Sequence, residues 1–350
     1  MKKIFTILTL SLVVAILAVS LLPASPAVAR SSGRVVVANR ASGTISVIDA
    51  LTDELLGTYD LPMMAGDAMP EPMYVVYSAA KDRMFVGDRA NDRIVVYDAR
   101  DLSVEALVPA GQGVYHMWAD PQGKQLWVNN DIDNTSTVID PNTLQVIATV
   151  PTPADLIAMG GRPHDMMVGP QGRYAYVTVL GLPGDHDYVV QFSTETFMEV
   201  ARAEVGKDPH LALFRQNPFL YVASQGSNQV RVLDRETLAW IADIDVPGAH
   251  GAGMPRNGRY FYTTNLPGGG TDALYTIDTQ TNTVVGAPVD TPYAVPHNLV
   301  LTPDSQKMFV THSGPNTTVT IFAIAGDDPT PAYAGEVTVG ANPFGLTYIP

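Results

Sequence analysis

A repeated unit that places a histidine at one fixed position is the feature of this sequence that most constrains its fold. The histidines of this position fall 46, 40 and 47 residues apart: His164, His210, His250 and His297. Each begins a short apolar run, which is followed by a turn such as Pro-Gln-Gly or Pro-Asp-Ser and then by an alternating strand. Repeats of roughly 40–50 residues with four strands each are typical of propeller blades. The spacing therefore predicts an all-β propeller.

The two ends of the chain predict how the propeller closes. The first unit begins near Gly33, at what would be its second strand, whereas Asn342 to Ile349 forms a first strand with nothing after it. Since each end supplies what the other lacks, their pairing would leave no open sheet edge. The expected architecture is a seven-bladed propeller, a single domain over residues 30–350 without a helix. Blades two to seven are expected to begin near Glu71, Val114, Gly161, Asp208, Ala249 and Ala294.

Other residues occupy the histidine position in the remaining units. Met73 and Phe344 take the same slot, and in the third unit Tyr115 falls in register while His116 lies one residue beyond. A one-residue offset turns a strand side chain to the opposite face unless a bulge intervenes. His116 therefore joins the other histidines only if its strand is bulged.

Two further signals recur in the units. The third strand ends in aspartate at five places, where the carboxylate is expected to accept backbone N–H groups of the following turn: Asp49, Asp98, Asp140, Asp234 and Asp278. The second strand carries phrases such as Tyr176-Val177-Thr178 and Phe309-Val310-Thr311. These phrases resemble the YVTN-type propeller repeats. The resemblance implies that the first strands line a central channel and that the histidines, His116 and His312 included, lie at one of its mouths.

Converging imidazoles predict a metal site, because histidine is the commonest side-chain ligand of transition metals. Zinc or copper is expected, with the four repeated histidines as core ligands and His116 or His312 completing the set. Asp165 could orient an imidazole or act as a turn residue. Four methionines between Leu61 and Met73 favour copper, since thioethers select Cu(I). The histidine face is similar to that of periplasmic metal-binding propellers, which implies metal delivery to a periplasmic transport or acceptor protein.

Composition limits the location and the partners. Lys2 and Lys3 precede an apolar run, and Ala27-Val28-Ala29 fits a cleavage site, so residues 1–29 are predicted to be a signal peptide. The mature chain is expected to be a periplasmic or secreted monomer without a membrane span. A formal net charge of −14 disfavours nucleic-acid binding. The absence of cysteine excludes disulfides and thiolate metal sites.

The sequence is compatible with three functions. The histidine pattern favours an exported propeller that holds or delivers a metal ion and is not an enzyme. The first alternative is an enzyme of the lactonase or lyase type, in which a histidine acts as general acid or base and a metal may assist. The second alternative is a scaffold whose histidine face docks another protein.

Overall fold

The computed structural model of the protein describes residues 33–255, 257–266, 272–326 and 328–350. The predicted signal peptide lies outside these residues, so its cleavage and the location of the protein stay predictions. No helix in the described part of the chain is long and apolar enough to cross a membrane. The described strands form seven sheets, and the predicted all-β, seven-bladed propeller is confirmed.

The strands follow the order expected from the repeat. Blades one to three contain β1 (Arg34–Asn39), β2 (Thr44–Asp49), β3 (Leu55–Asp60), β4 (Pro72–Ser78), β5 (Arg83–Asp88), β6 (Arg93–Asp98), β7 (Val104–Pro109), β8 (Val114–Ala119), β9 (Leu126–Asn130), β10 (Thr135–Asp140) and β11 (Gln145–Pro151). Blades four and five contain β12 (Arg162–Val168), β13 (Tyr174–Leu180), β14 (Asp187–Ser193), β15 (Glu199–Val205), β16 (Pro209–Leu213), β17 (Phe219–Ser224), β18 (Gln229–Asp234) and β19 (Trp240–Asp245). The remaining strands are β20 (Ala249–Gly253), β21 (Tyr260–Asn265), β22 (Ala273–Asp278), β23 (Thr283–Val284), β24 (Val289–Asp290), β25 (Pro296–Leu301), β26 (Lys307–His312), β27 (Thr318–Ala323), β28 (Ala332–Thr338) and β29 (Pro343–Ile349).

Among the described residues, one short α-helix interrupts the all-β pattern, contrary to the expectation of none. Helix α1 (Ala154–Ala158) is a single turn in the loop before β12, with Pro153 at its N-cap and Asp155 in its first turn. Its start fits the preference for acidic residues near the positive end of a helix. Two 3₁₀ turns, Arg89–Asn91 and Gln225–Ser227, follow second strands.

The ring closes as the two chain ends predicted. Strand β29 pairs antiparallel with β1, in a register that sets Ile349 opposite Arg34 and Leu346 opposite Val37. Blade one therefore has the strand order β29-β1-β2-β3. Because β29 supplies the first strand that blade one lacks, β1 has no open edge at which another chain could pair.

The repeated aspartates have the predicted turn role. In blade three, the Asp140 carboxylate accepts the backbone N–H groups of Asn142 and Thr143 at 2.7 and 3.3 Å. These hydrogen bonds hold the pKa of Asp140 below its ordinary value. Asp49 and Asp234 make the same contacts two blades away on either side. The aspartates therefore fix the outer hairpins and belong to the scaffold.

The apolar core is divided into seven clusters, each between two neighbouring blades. Trp127, for example, is fully buried between blades three and four, against Phe192 and Phe197. Burial of each such side chain contributes roughly 1.5–3 kcal/mol. Packing of blade against blade therefore sets the width of the channel that the first strands enclose.

Candidate functional site

Seven side chains, one from each blade, form a closed circle of rings around the central channel. Neighbouring ring centroids are 3.7 to 5.5 Å apart. We call this set the aromatic ring; in blade order it consists of Phe344, Tyr74, His116, His164, His210, His250 and His297. Five consecutive members are imidazoles, and the set is mostly buried. The aromatic ring thus brings five of the six histidines predicted as metal ligands together at one level of the channel.

In six of the seven blades, a bulge in the first strand accompanies the placement of these side chains. In β8 the pairing with β9 shifts register between Val114 and Met117, so His116 reaches the channel despite its one-residue offset. Strands β4, β12, β20 and β25 shift at the equivalent place, whereas β16 pairs without a shift. The bulge that the sequence required for His116 is therefore confirmed, and it recurs around the propeller.

In blades four, six and seven, the threonine of the second-strand phrase fills the gap that the bulge opens. The backbone N–H of Asp165 donates to the Thr178 hydroxyl at 2.8 Å, and Gly251 donates to Thr264 at the same distance. The Thr264 hydroxyl in turn donates to the carbonyl oxygen of His297 in the next blade, also at 2.8 Å. A bulged residue loses its ladder partner. The threonine replaces that partner and links one blade to the next.

The six predicted ligands fall into three groups. His116, His164 and His210 each offer a ring nitrogen, and these three atoms lie within 4.8 Å of one another. His250 and His297 complete the imidazole arc, with Nδ1 of His250 3.2 Å from the Gln225 side-chain oxygen and Nδ1 of His297 2.7 Å from Nδ2 of Asn298.

His312 is set apart from the arc. Its ring contacts Tyr293, its Nδ1 lies 3.1 Å from the Ala294 carbonyl oxygen, and its Nε2 lies 2.8 Å from the Thr320 hydroxyl. Both ring nitrogens therefore have partners in the scaffold. Of the methionines in the loop before blade two, Met63, Met64 and Met69 are exposed and Met73 is fully buried.

His116 and Asp165 form a buried pair across two blades. Nδ1 of His116 lies 2.7 Å from Oδ1 of Asp165. The carboxylate also accepts the backbone N–H groups of Met166 at 2.6 Å and Leu211 at 2.7 Å. Burial by itself would raise the pKa of Asp165, but the His116 imidazole and the Leu211 N–H together hold it below its ordinary value. An ionised Asp165 keeps a proton on Nδ1 of His116 and leaves the lone pair on Nε2.

Four imidazoles of the arc have pKa values below the ordinary value: His164, His210, His250 and His297. Burial lowers the pKa of His164, and repulsion from His210 and His116 lowers it further. Burial also lowers the pKa of His210, although Asp208 and Asp165 act in the opposite direction. The Nε2 atoms of His164 and His210 lie 2.9 Å apart, so one ring donates a hydrogen bond to the other. Neutral rings can accept protons or bind metal ions, which charged rings cannot.

A cavity of about 110 Å³ lies beside these groups inside the channel. His116, Asp165, His210 and His250 line it together with Tyr74 and Asn298. The Nε2 atom of His116 is buried and has no hydrogen-bond partner among the described residues. A buried lone pair without a partner is costly unless a ligand uses it. Nδ1 of His210 and Nε2 of His250 are likewise buried without a partner among the described residues, so three imidazoles that line the cavity each have an unpaired ring nitrogen.

Tyr74 is the residue of the site that the sequence interpretation missed. Its ring stacks on His116 with centroids 3.9 Å apart, and burial raises the pKa of its hydroxyl well above the ordinary value. A signal was present, because Tyr74 follows Met73 as His116 follows Tyr115. The same bulge turns both residues into the channel.

The sequence of residues 17–239 matches the family model described as lactonase, 7-bladed beta-propeller. No significant match was found among curated protein sequences. The matched residues include four of the seven members of the aromatic ring and the whole of the His116–Asp165 pair. The finer prediction of YVTN-type repeats stays a prediction.

Solved structures with the same fold share little sequence with this chain. The periplasmic gluconolactonase of Pseudomonas aeruginosa is 18% identical with a TM-score of 0.71, over 91% of this chain and 99% of that one. A putative 6-phosphogluconolactonase of Bacteroides fragilis is 14% identical with the same TM-score and coverage. Kuenenia stuttgartiensis hydrazine synthase is 15% identical with a TM-score of 0.67, over 82% of this chain and 99% of that one. At such identities these structures show the fold.

The family match corrects two sequence interpretations. The interpretation as a protein that holds or delivers a metal ion is wrong, and so is the expectation that the chain is not an enzyme; the match favours the lactonase alternative. The physical reason for the error is that the repeat makes the histidines look like equivalent metal ligands. The structure makes them unequal, because Asp165 orients His116 alone.

Proposed function

Because the chain belongs to the family of seven-bladed β-propeller lactonases, we propose that it hydrolyses a lactone in its central channel. The His116–Asp165 pair is the observation that carries this proposal. Asp165 holds the proton of His116 on Nδ1, and Nε2 of His116, which lines the cavity wall, has no hydrogen-bond partner among the described residues. Such an imidazole can act as the general base that removes a proton from water.

The reaction needs a base, a water molecule and a donor for the oxyanion in one place. Nε2 of His116 takes a proton from water, and the resulting hydroxide adds to the lactone carbonyl carbon. The Tyr74 hydroxyl, which also lines the cavity, donates a hydrogen bond to the oxyanion that forms. Its raised pKa keeps that hydroxyl protonated. When the ring C–O bond breaks, the leaving alkoxide recovers the proton from His116, and the product is a hydroxy acid.

The test is hydrolysis of simple lactones by the purified protein. δ-Valerolactone and δ-gluconolactone are supplied, and acid release is followed in a pH-stat. We expect His116→Gln to lower kcat on the order of 10²–10⁴-fold, the usual contribution of a general base. His186→Gln is the matched control, because His186 is half-exposed in a loop beside Asp185. Circular dichroism of each variant checks folding. Equal rates for His116→Gln and the parent protein would refute the role of the pair.

A bound metal ion is a second proposal for the same reaction. The ring nitrogens of His116, His164 and His210 are close enough to share one ion. Zinc or copper held by three such ligands would keep an open position and polarise the lactone carbonyl. His116 would then be a ligand and Asp165 its orienting partner.

Metal content decides between the two arrangements. Tag-free protein is incubated with each ion, desalted and analysed by mass spectrometry beside a His164→Ala/His210→Ala variant. One equivalent of metal in the parent and none in the variant would support the metal arrangement. Full activity of protein without metal would support the His116–Asp165 base alone.

A further inference from the structure

The channel widens on the side of the aromatic ring toward which the first strands run. Between Tyr74 and Ser78, for example, β4 passes from the ring into a wider cavity of about 820 Å³. We call this cavity the funnel. Its wall is continuous with that of the small cavity beside His116, because Val76, Trp118 and Met167 line both. A molecule whose carbonyl reaches His116 would therefore extend its substituent into the funnel.

The funnel wall is apolar at the level nearest the site. Each blade contributes a partly exposed apolar side chain from its first strand: Leu346, Val76, Trp118, Met167, Leu213, Ala252 and Val300. Phe214 and Met254 extend the wall outward. Such a surface lowers the free energy of any alkyl or aryl group that leaves water to cover it.

Charged groups are sparse in the funnel. Arg215 is the only basic residue among the described residues that line it, and Asp120 is the only acidic one. The Asp120 carboxylate already accepts the backbone N–H groups of Gln122 and Lys124 at 3.0 and 3.2 Å. Recognition of a phosphate usually takes several cationic or N–H donors. The wall therefore offers little to a phosphorylated or polyhydroxylated substituent, whose hydroxyl groups would lose hydrogen bonds to water.

We infer that the substrate of this channel is a lactone with an apolar alkyl or aryl substituent, which the funnel binds while the ring carbonyl lies at His116. This inference rests on the proposed lactone hydrolysis and names its substrate class. Each methylene that enters the funnel is expected to raise kcat/KM by up to about fourfold, until the funnel is filled. δ-Gluconolactone, with hydroxyl groups in place of the alkyl chain, is expected to be a poorer substrate than an alkyl lactone.

The experiment compares kcat/KM for δ-valerolactone, δ-octalactone, δ-decalactone and δ-gluconolactone. Met167→Gln should lower the ratio of kcat/KM for δ-decalactone to kcat/KM for δ-valerolactone by about tenfold. Met198→Gln is the matched control, since Met198 is 66% exposed outside the channel. If Met167→Gln fails to fold, Val300→Thr provides an almost isosteric polar change in the same wall.

The outcomes separate the inference from the function on which it rests. Values of kcat/KM that rise with chain length and fall in the Met167→Gln variant would support the inference. Hydrolysis that is independent of chain length, or fastest with δ-gluconolactone, would overturn it and leave lactone hydrolysis standing. Absence of hydrolysis with all four lactones would refute the proposed function, and the inference with it.

Discussion

Replacement of Asp165 by asparagine tests the central pair of the site, because it removes one charge and changes little else in shape. In the parent protein, Oδ1 accepts the Met166 N–H and faces Nδ1 of His116, while Oδ2 accepts the Leu211 N–H. An amide has one oxygen, so at least one of these buried donors must face the new NH₂ group. A buried donor without an acceptor costs about 1–3 kcal/mol, and the remaining hydrogen bonds lose their charge assistance.

The expected loss in the free energy of unfolding is therefore about 3 kcal/mol for Asp165→Asn. If the NH₂ group faces His116, it donates to Nδ1 and moves the imidazole proton to Nε2, which removes the lone pair that activates water. We expect kcat for a simple lactone to fall on the order of 10²-fold or more. Urea unfolding measures the first quantity, and initial rates at a temperature where the variant stays folded measure the second.

Asp208→Asn is the matched control for this experiment. The Asp208 carboxylate lies 3.9 Å from Nε2 of His164, but its side chain is 41% exposed. A surface change of this kind shifts stability by about 0.5 kcal/mol or less. An Asp165→Asn variant that is as stable and as active as Asp208→Asn would refute the reasoning that the pair is both buried and functional.

Three further predictions concern the scaffold. Thr264→Val, which leaves the Gly251 N–H and the His297 carbonyl oxygen without the hydroxyl, should lower the urea-unfolding free energy by about 1–3 kcal/mol, and no change would contradict the bulge-filling role. Deletion of residues 343–350 removes β29 from β1, so thermal unfolding should lose its cooperativity, whereas an unchanged melting curve would show that closure is dispensable. Burial lowers the pKa of His312 below 6.5, so the unfolded chain binds its proton first; stability is then complete above pH 6.5 and decreases toward acid by up to about 1.4 kcal/mol per pH unit until the folded pKa is reached. His312→Gln should reduce this dependence by the share of His312, while the other buried histidines with lowered pKa values still contribute, and an identical pH–stability curve would contradict it.

Much of the fold could be predicted from the sequence because each blade repeats the same local rules. The spacing of the histidines gave the blade length, and the incomplete units at Gly33 and Asn342 gave the closure. The turn aspartates, such as Asp140, follow from the ability of a carboxylate to accept two adjacent N–H groups. Blade length and turns depend on residues that are near in sequence, and closure follows from the two complementary chain ends, so all three could be predicted from the sequence.

The candidate site could be predicted only in part, because the contacts that distinguish one histidine from another form between blades. The repeat located His164 and His210, and a bulge was foreseen as the condition for His116. The contact between His116 in blade three and Asp165 in blade four, however, cannot be predicted from the spacing of the repeats. Tyr74 and the funnel wall depend on the same convergence of first strands. The predicted metal ligation by the six histidines stays a prediction.

The pairing of β29 with β1 also determines when, during synthesis of the chain, the central channel can form. Phe344, in β29, is the member of the aromatic ring that joins His297 to Tyr74. Strand β29 follows every other described strand in the chain, so a ribosome must finish all of them before the ring can close. A partly synthesised chain already carries His116 and Asp165 but encloses no channel around them. The channel can therefore enclose a substrate only after the whole propeller has been synthesised.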